Sequence, residues 1–145
     1  DPVPNFSACF GAPFMPLPPT DYAKMLAEKI EQHGVRIWLV NTGWTGGGHG
    51  IGTRMKLKHT RAMIRAAMSG ELDDAAMHRD PVFGLHSPIT CTDVPENLLI
   101  PAKAWEDKEA FYVAVSKLAN LFNSNFEQFE HEANTAMRQA APVSA

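Results

Sequence analysis

Residues 41–54 read Asn-Thr-Gly-Trp-Thr-Gly-Gly-Gly-His-Gly-Ile-Gly-Thr-Arg and hold six of the chain's ten glycines. A stretch this poor in side chains cannot serve as a helix interior or a packed strand, because each glycine surrenders more backbone freedom on ordering than any other residue. It must be a connection, and it divides what lies on either side. Before it, the apolar run at residues 35–40, Val-Arg-Ile-Trp-Leu-Val, predicts a strand buried on both faces. After it, residues 54–65 carry five basic side chains and no acid. Glycine lets backbone N–H groups approach an anion, so a glycine turn between a strand and a basic segment is a candidate phosphate cradle. The competing reading is a long surface turn. Walker A spacing holds from Gly47 to Gly52, but Thr53 stands where the phosphate-binding lysine belongs. The dinucleotide pattern fails too, because Gly48, Gly50 and Gly52 have the wrong last interval.

The basic run is the more informative half. Met55 and Leu57 alternate with Arg54, Lys56 and Lys58, which predicts a short half-exposed strand over residues 54–58. A helix follows over residues 59–68, with Met63, Ile64, Ala67 and Met68 turned inward and Ser69-Gly70 ending it. A run of charge is most often only a solvated face. Here no acid offsets it, and the glycine stretch leads straight into Arg54. Arginine can fork to phosphate oxygens or lie flat on a purine, Met55 can wall a base, and the Thr60 hydroxyl can bond a ring edge. The candidate binding residues are therefore Arg54, Met55 and Thr60.

The rest of the chain predicts scaffolding. Six prolines punctuate residues 1–19, yet Phe6, Cys9, Phe10, Phe14, Met15 and Leu17 make the segment apolar, so it is expected to loop across a core or a cleft. Residues 20–33 predict a helix, with Thr20 as N-cap, Gly34 just past its end, and Tyr22, Met25, Leu26 and Ile30 on a packing face. Residues 71–104 predict short connections, with a strand at residues 82–85 and a helical turn within residues 94–100. The longest helix is predicted over residues 105–131, capped by Asp107, with Phe111, Val115, Leu118, Phe122, Phe126 and Phe129 as a core stripe.

At 145 residues the chain is long enough for a core, and a net charge of −3 predicts no general attraction to nucleic acid or anionic membrane. Cys9 and Cys91 lack metal-type neighbours and predict free buried thiols in a reducing compartment. The six histidines form no ligand spacing, and Asp73-Asp74 reads as a solvated turn. No apolar run reaches membrane-spanning length and no secretory signal is evident, so a cytoplasmic protein is expected. The chain opens Asp1-Pro2-Val3-Pro4 with no initiator Met, as if cut from something longer. No complete catalytic constellation is present.

Several blocks together carry a resemblance. Phe6-Ser7-Ala8-Cys9-Phe10-Gly11-Ala12-Pro13-Phe14, Leu39-Val40-Asn41-Thr42-Gly43-Trp44, Gly52-Thr53-Arg54-Met55 and His59-Thr60-Arg61-Ala62 resemble the C-terminal part of ATP-dependent phosphoenolpyruvate carboxykinase. Asp80-Pro81-Val82-Phe83-Gly84, Leu121-Phe122 and Asn125-Phe126 fit the same family in the same order, over roughly residues 1 to 130.

The resemblance implies a mixed α/β (α+β) fold: an incomplete C-terminal portion of a nucleotide-binding catalytic domain, with few strands and packing helices. It implies one unit over residues 1–145, with an apolar loop following the family's lid at residues 1–19. Helix, strand, glycine loop, strand and helix would fill residues 20–70, and the long C-terminal helix residues 105–131. The family converts oxaloacetate and ATP to phosphoenolpyruvate, CO₂ and ADP, in gluconeogenesis, with Mg²⁺ and Mn²⁺. Its adenine-nucleotide contacts fall here on Arg54, Met55 and Thr60. Thr53 replaces a common family lysine, and Gly48-His49 a common Pro-Tyr. The family's phosphate loop, metal ligands and substrate arginines have no counterpart here. The implied partners are therefore an adenine nucleotide and the remainder of the enzyme. A separated segment would be inactive alone and would show exposed apolar patches or self-association. Two other classes stay open: a stand-alone, non-catalytic nucleotide- or polyanion-binding module, and a purely structural segment.

Overall fold

The computed structural model describes residues 5–7 and 11–143. Cys9, Phe10 and the first prolines lie outside the described residues. Among those described, the fold is mixed: helices α1 (Pro19–His33), α2 (Leu57–Ser69), α3 (Glu96–Leu99), α4 (Pro101–Ala104), α5 (Lys108–Phe126) and α6 (Thr135–Gln139) are set around two small antiparallel sheets. One sheet pairs β1 (Trp44–Thr45) with β2 (Thr53–Arg54), and the other pairs β3 (Met77–Arg79) with β4 (His86–Pro88).

The helix ends follow local chemistry. Pro19 sits where α1 has no N–H to satisfy, Asp21 faces the positive helix end, and Gly34 closes it at φ 59° with its N–H on the Ile30 carbonyl at 2.8 Å. The N-cap of α1 is Pro18, so Thr20 is not the cap as expected. Instead Thr20 is buried inside the first turn, and its hydroxyl donates to the carboxylate of Glu132 near the far end of the chain. Gly70 ends α2 in the left-handed region. Asp107 caps α5 as expected, its carboxylate accepting the Ala110 N–H at 2.9 Å. The predicted continuation to residue 131 does not stay α-helical: after Phe126 the chain tightens into a 3-10 segment, Glu127–Glu132.

The core lies between α2 and the segment that follows it. Ala62, Ala66, Leu72, Cys91, Val94 and Leu99 are buried together, with Trp38, Met63, Ala67, Ala75 and Leu98 packed around them. The inward face of α2 meets expectation only in part, at Met63 and Ala67. It carries His59, Ala62 and Ala66, while Ile64 is exposed and Met68 is 84% exposed. Alanines at this spacing let neighbouring backbone come close, Met63 and Ala67 pack beside them, and Ile64 and Met68 are turned outward.

Three further expectations are corrected. Residues 35–40 form no strand: no described segment pairs with them, and Val35, Ile37, Leu39 and Val40 are exposed, Leu39 to 81%. A strand exists only through its partner's ladder. Arg36 holds the segment instead, through an ion pair of 2.6 Å to Asp73. The strand expected over residues 54–58 stops at Arg54, because Leu57 already begins α2. Arg54, Lys56 and Lys58 therefore do not share one strand face. Residues 82–85 are a hairpin turn rather than a strand, since Asp80 Oδ1 accepts the N–H groups of Val82 at 2.9 Å and Phe83 at 2.6 Å.

The apolar face of α1 is only partly packed, with Tyr22 and Ile30 half-buried and Met25 and Leu26 exposed. The stripe on α5 is only partly covered. Phe111 is buried against Trp105, with ring centroids 5.7 Å apart, whereas Phe122 is exposed along one side and meets Phe6 and Phe83 edge-on at 5.1 and 5.9 Å. Exposed apolar surface, expected from the sequence, is thus a property of the fold. Residues 37–41 line a cavity of about 660 Å³ together with Met63, Ala67, Leu72 and Leu99. No described helix is long and apolar enough to cross a membrane.

Candidate functional site

The glycine stretch is a hairpin tip. β1 and β2 pair Trp44 with Arg54 and Thr45 with Thr53, and the Met55 N–H extends the pairing to the Gly43 carbonyl at 2.9 Å. Inside the tip, the Ile51 and Gly52 N–H groups both donate to the Gly48 carbonyl, at 3.2 and 2.8 Å. The Gly43 N–H is taken by Asn41 Oδ1 at 3.1 Å. Three of the donors a phosphate cradle would need are therefore engaged inside the loop. Trp44 and His49 stack edge-on at 5.2 Å and brace the tip against its own strand. The work of this loop is positional: it sets Arg54 and Met55 beside the start of α2.

There the chain forms a cleft of about 230 Å³. Its near wall comes from the hairpin and the approach to α2: Thr45, Thr53, Arg54, Met55 and Lys56. Its far wall is Pro95, Asn97 and Leu98 at the start of α3, and His59 stands within it. Arg54 and Lys56 are exposed and Met55 half-buried, which pairs cationic rims with an apolar patch. Lys56 occupies the N-cap position of α2 with no side-chain cap bond, and the first turn holds no acid. The positive end of the helix dipole is therefore left uncompensated at the cleft, and it adds to the attraction for a negative ligand.

Of the three expected contacts, the structure brings two together. Arg54 and Met55 line the cleft; Thr60 lies half-buried in the first turn of α2, outside the lining. Sequence reasoning missed His59 and the far wall. His59 had a legible signal, since it stands three residues before Ala62 on the buried face of α2. The far wall had none. It is delivered by the turn from Cys91 to Val94, closed by the Val94 N–H on the Cys91 carbonyl at 3.1 Å, in which Asp93 takes φ 64°. The Asp93 carbonyl accepts a hydrogen bond from His59 Nδ1 at 3.0 Å. Glu71 steadies the same turn by accepting the Thr92 N–H at 2.9 Å, and that bond holds its carboxyl below the ordinary range. Cys91, free and buried in the core behind the turn, has its thiol pushed up by burial first and then by the nearby Glu71 and Asp93 charges.

A mixed α/β unit with a small cationic-and-apolar cleft beside a glycine hairpin is the class of structure that geometry alone defines. Comparison with known proteins supplies the family. The family model described as phosphoenolpyruvate carboxykinase matches residues 1–97. The chain is 50% identical over 143 residues to phosphoenolpyruvate carboxykinase (ATP) of Christiangramia forsetii, covering 99% of this chain and 27% of that protein. Against the protein of the same name from Flavobacterium johnsoniae it is 52% identical, again over 99% of this chain and 27% of the relative. Against that of Bacillus pumilus it is 50% identical, over 98% and 27%. The chain belongs to the phosphoenolpyruvate carboxykinase family, and it spans about a quarter of the length of these relatives.

Proposed function

We propose that this chain supplies an adenine-nucleotide wall of an ATP-dependent phosphoenolpyruvate carboxykinase. The complete enzyme would be a lyase that converts oxaloacetate and ATP to phosphoenolpyruvate, CO₂ and ADP, in a gluconeogenic direction and in the cytoplasm. The observation that carries the proposal is the joining of Arg54 and Met55 in one cleft, opened by a glycine hairpin in which the Gly43, Ile51 and Gly52 N–H groups are engaged. A volume of about 230 Å³ lies below the roughly 300–1,000 Å³ of a full small-molecule pocket. It suits a nucleoside better than a whole triphosphate. In this reading Met55 packs against the base, while Arg54 and the uncompensated start of α2 attract the charged end. Thr60 would meet only a part of the ligand that extends beyond the cleft.

Phosphoryl transfer depends on positioning and on charge at the transferred group. The side chains here can bind and orient a nucleotide. Among the described residues no three His, Cys, Asp or Glu side chains come together, so the Mg²⁺ and Mn²⁺ that the family resemblance implies have no ligand set in them. The remainder of the enzyme is the partner that would hold those ions and the phosphates, and this chain alone is expected not to turn over oxaloacetate.

Calorimetric titration of the chain with ATP and GTP tests the reading. ATP should bind more tightly than GTP, and Arg54→Ala should weaken ATP about tenfold or more, the range for loss of a charge-assisted hydrogen bond. Affinity that ignores the base and falls steeply with salt would assign the basic surface to polyanions instead. An unchanged ATP affinity in Arg54→Ala would leave the hairpin a structural turn.

A further inference from the structure

His59 is 6% exposed and is one of only two buried polar side chains among the described residues; it also lines the cleft. Its Nδ1 lies 3.0 Å from the carbonyl oxygen of Asp93. A carbonyl can only accept, so Nδ1 must carry the proton in that bond. In the neutral imidazole, a proton on Nδ1 leaves Nε2 with a free lone pair. That nitrogen has no protein partner among the described residues, and no buried polar side-chain atom there is sealed without one. Nε2 is therefore neither satisfied nor enclosed, and His59 is one of the residues that line the cleft.

The arrangement is built rather than incidental. The donor end of the ring is held by the carbonyl of Asp93, which sits at φ 64°, a conformation only a few residue types tolerate. The ring itself is fixed by helix α2, whose first turn ties the His59 N–H to the Lys56 carbonyl at 3.0 Å. His59 thus shares the cleft lining with Met55 on the near wall and with Asn97 and Leu98 on the far wall.

We infer that His59 is a specificity-determining residue of this cleft, with Nε2 accepting a hydrogen bond from a donor on the bound nucleoside. The inference rests on the nucleotide reading above and deepens it. A purine nucleoside offers two kinds of donor that could reach the site, the exocyclic amino group of adenine and a ribose hydroxyl. A 6-oxo purine presents an acceptor where adenine presents the amine, and two lone pairs would then face each other.

The experiment titrates the chain calorimetrically with ATP, with inosine triphosphate, which lacks the amino group, and with 2′-deoxy-ATP, which lacks a ribose hydroxyl. ATP should be preferred over one of the two analogues by about three- to tenfold, as one neutral hydrogen bond allows. His59→Phe, which keeps a planar ring and removes the acceptor, should abolish that preference while binding the poorer analogue as wild type does. The analogue whose penalty vanishes identifies the donor. A second readout works on the unmodified chain. Long-range ¹H–¹⁵N spectra of the imidazole should show the Nδ1–H tautomer, with the Nε2 resonance moving when ATP is added.

Failure of the two readings is distinguishable. If none of the three nucleotides binds, the nucleotide function itself is wrong and this inference falls with it. If His59→Phe retains the wild-type preference, or all three bind with one affinity that does not fall steeply with salt, the chain still binds nucleotide and the role of His59 is overturned; one affinity that falls steeply with salt overturns both readings. An Nε2–H tautomer, or an Nε2 signal indifferent to saturating ATP, overturns it as well, and neither observation requires the variant to fold.

Discussion

The glycines of the hairpin tip allow a prediction with a graded and signed outcome. At Gly52, an added Cβ would sit 2.2 Å from the Gly47 carbonyl oxygen, 2.7 Å from its carbon and 2.7 Å from the Thr45 carbonyl oxygen. Carbon contacts become favourable only at roughly 3.5 Å, so relief demands a shift of about 1 Å or more. Every obstructing atom is backbone, and Thr45 is held in the ladder by its pairing with Thr53. The hairpin must open to accept the methyl. Overpacking of this kind costs roughly 1–3 kcal/mol, with the strained ladder added. At Gly50 nothing lies within 4 Å of the added Cβ, but φ is +85°, so only the left-handed penalty of about 1–2 kcal/mol applies. At Gly48 nothing lies within 4 Å and φ is not positive. Alanine there should stabilise by about 0.4–1 kcal/mol, by narrowing the unfolded ensemble. Urea denaturation of the three alanine variants should therefore rank Gly48→Ala above wild type, Gly50→Ala below it, and Gly52→Ala lowest. ATP affinity should fall most in Gly52→Ala, which displaces Arg54 and Met55. A neutral Gly52→Ala, or a Gly48→Ala as damaging as it, would refute this account of the loop.

Other expectations follow from single contacts. Asp107→Ala removes the acceptor for the Ala110 N–H and should lower stability by about 1 kcal/mol in the same denaturation assay, while Asp107→Asn should keep most of it. Cys91 is buried with its thiol pushed up, so alkylation by iodoacetamide at neutral pH should be much slower in the folded chain than in urea. Equal rates in the two conditions would mean that the Cys91–Val94 turn is open in solution.

Much of the helical skeleton was legible because its signals are local. Gly34 and Gly70 supply the left-handed residue that closes α1 and α2, and the Asp107 side chain caps within its own turn. Residues 35–40 were misread for the opposite reason. Their composition says strand, but pairing is a property of two segments, and no described segment answers them. The face of α2 was read as Met63, Ile64, Ala67 and Met68; Met63 and Ala67 do pack on the core, but close approach centred it on Ala62 and Ala66 and left Ile64 and Met68 outside. In the cleft, Arg54 and Met55 could be picked out because a glycine stretch delivers them. The opposite wall could not, since Asn97 and Leu98 arrive through one turn whose geometry depends on a positive φ at Asp93.

The bond between Thr20 and Glu132 joins residues 112 positions apart. Closing so long a loop is entropically slow, whereas the hairpin and α2 can form from near neighbours. Helix α1 also buries little apolar surface, since Met25 and Leu26 remain in water and Tyr22 and Ile30 are only half-buried. It should therefore dock last on the folding route and detach first from the native state. Native-state hydrogen exchange would register this as α1 amides opening at a lower free energy than those of α2, and equal protection in the two helices would contradict it. The clasp makes one end of the chain a reporter on the other: whatever disturbs the 3-10 segment around Glu132 should first be felt as loosening of a helix near the N-terminus.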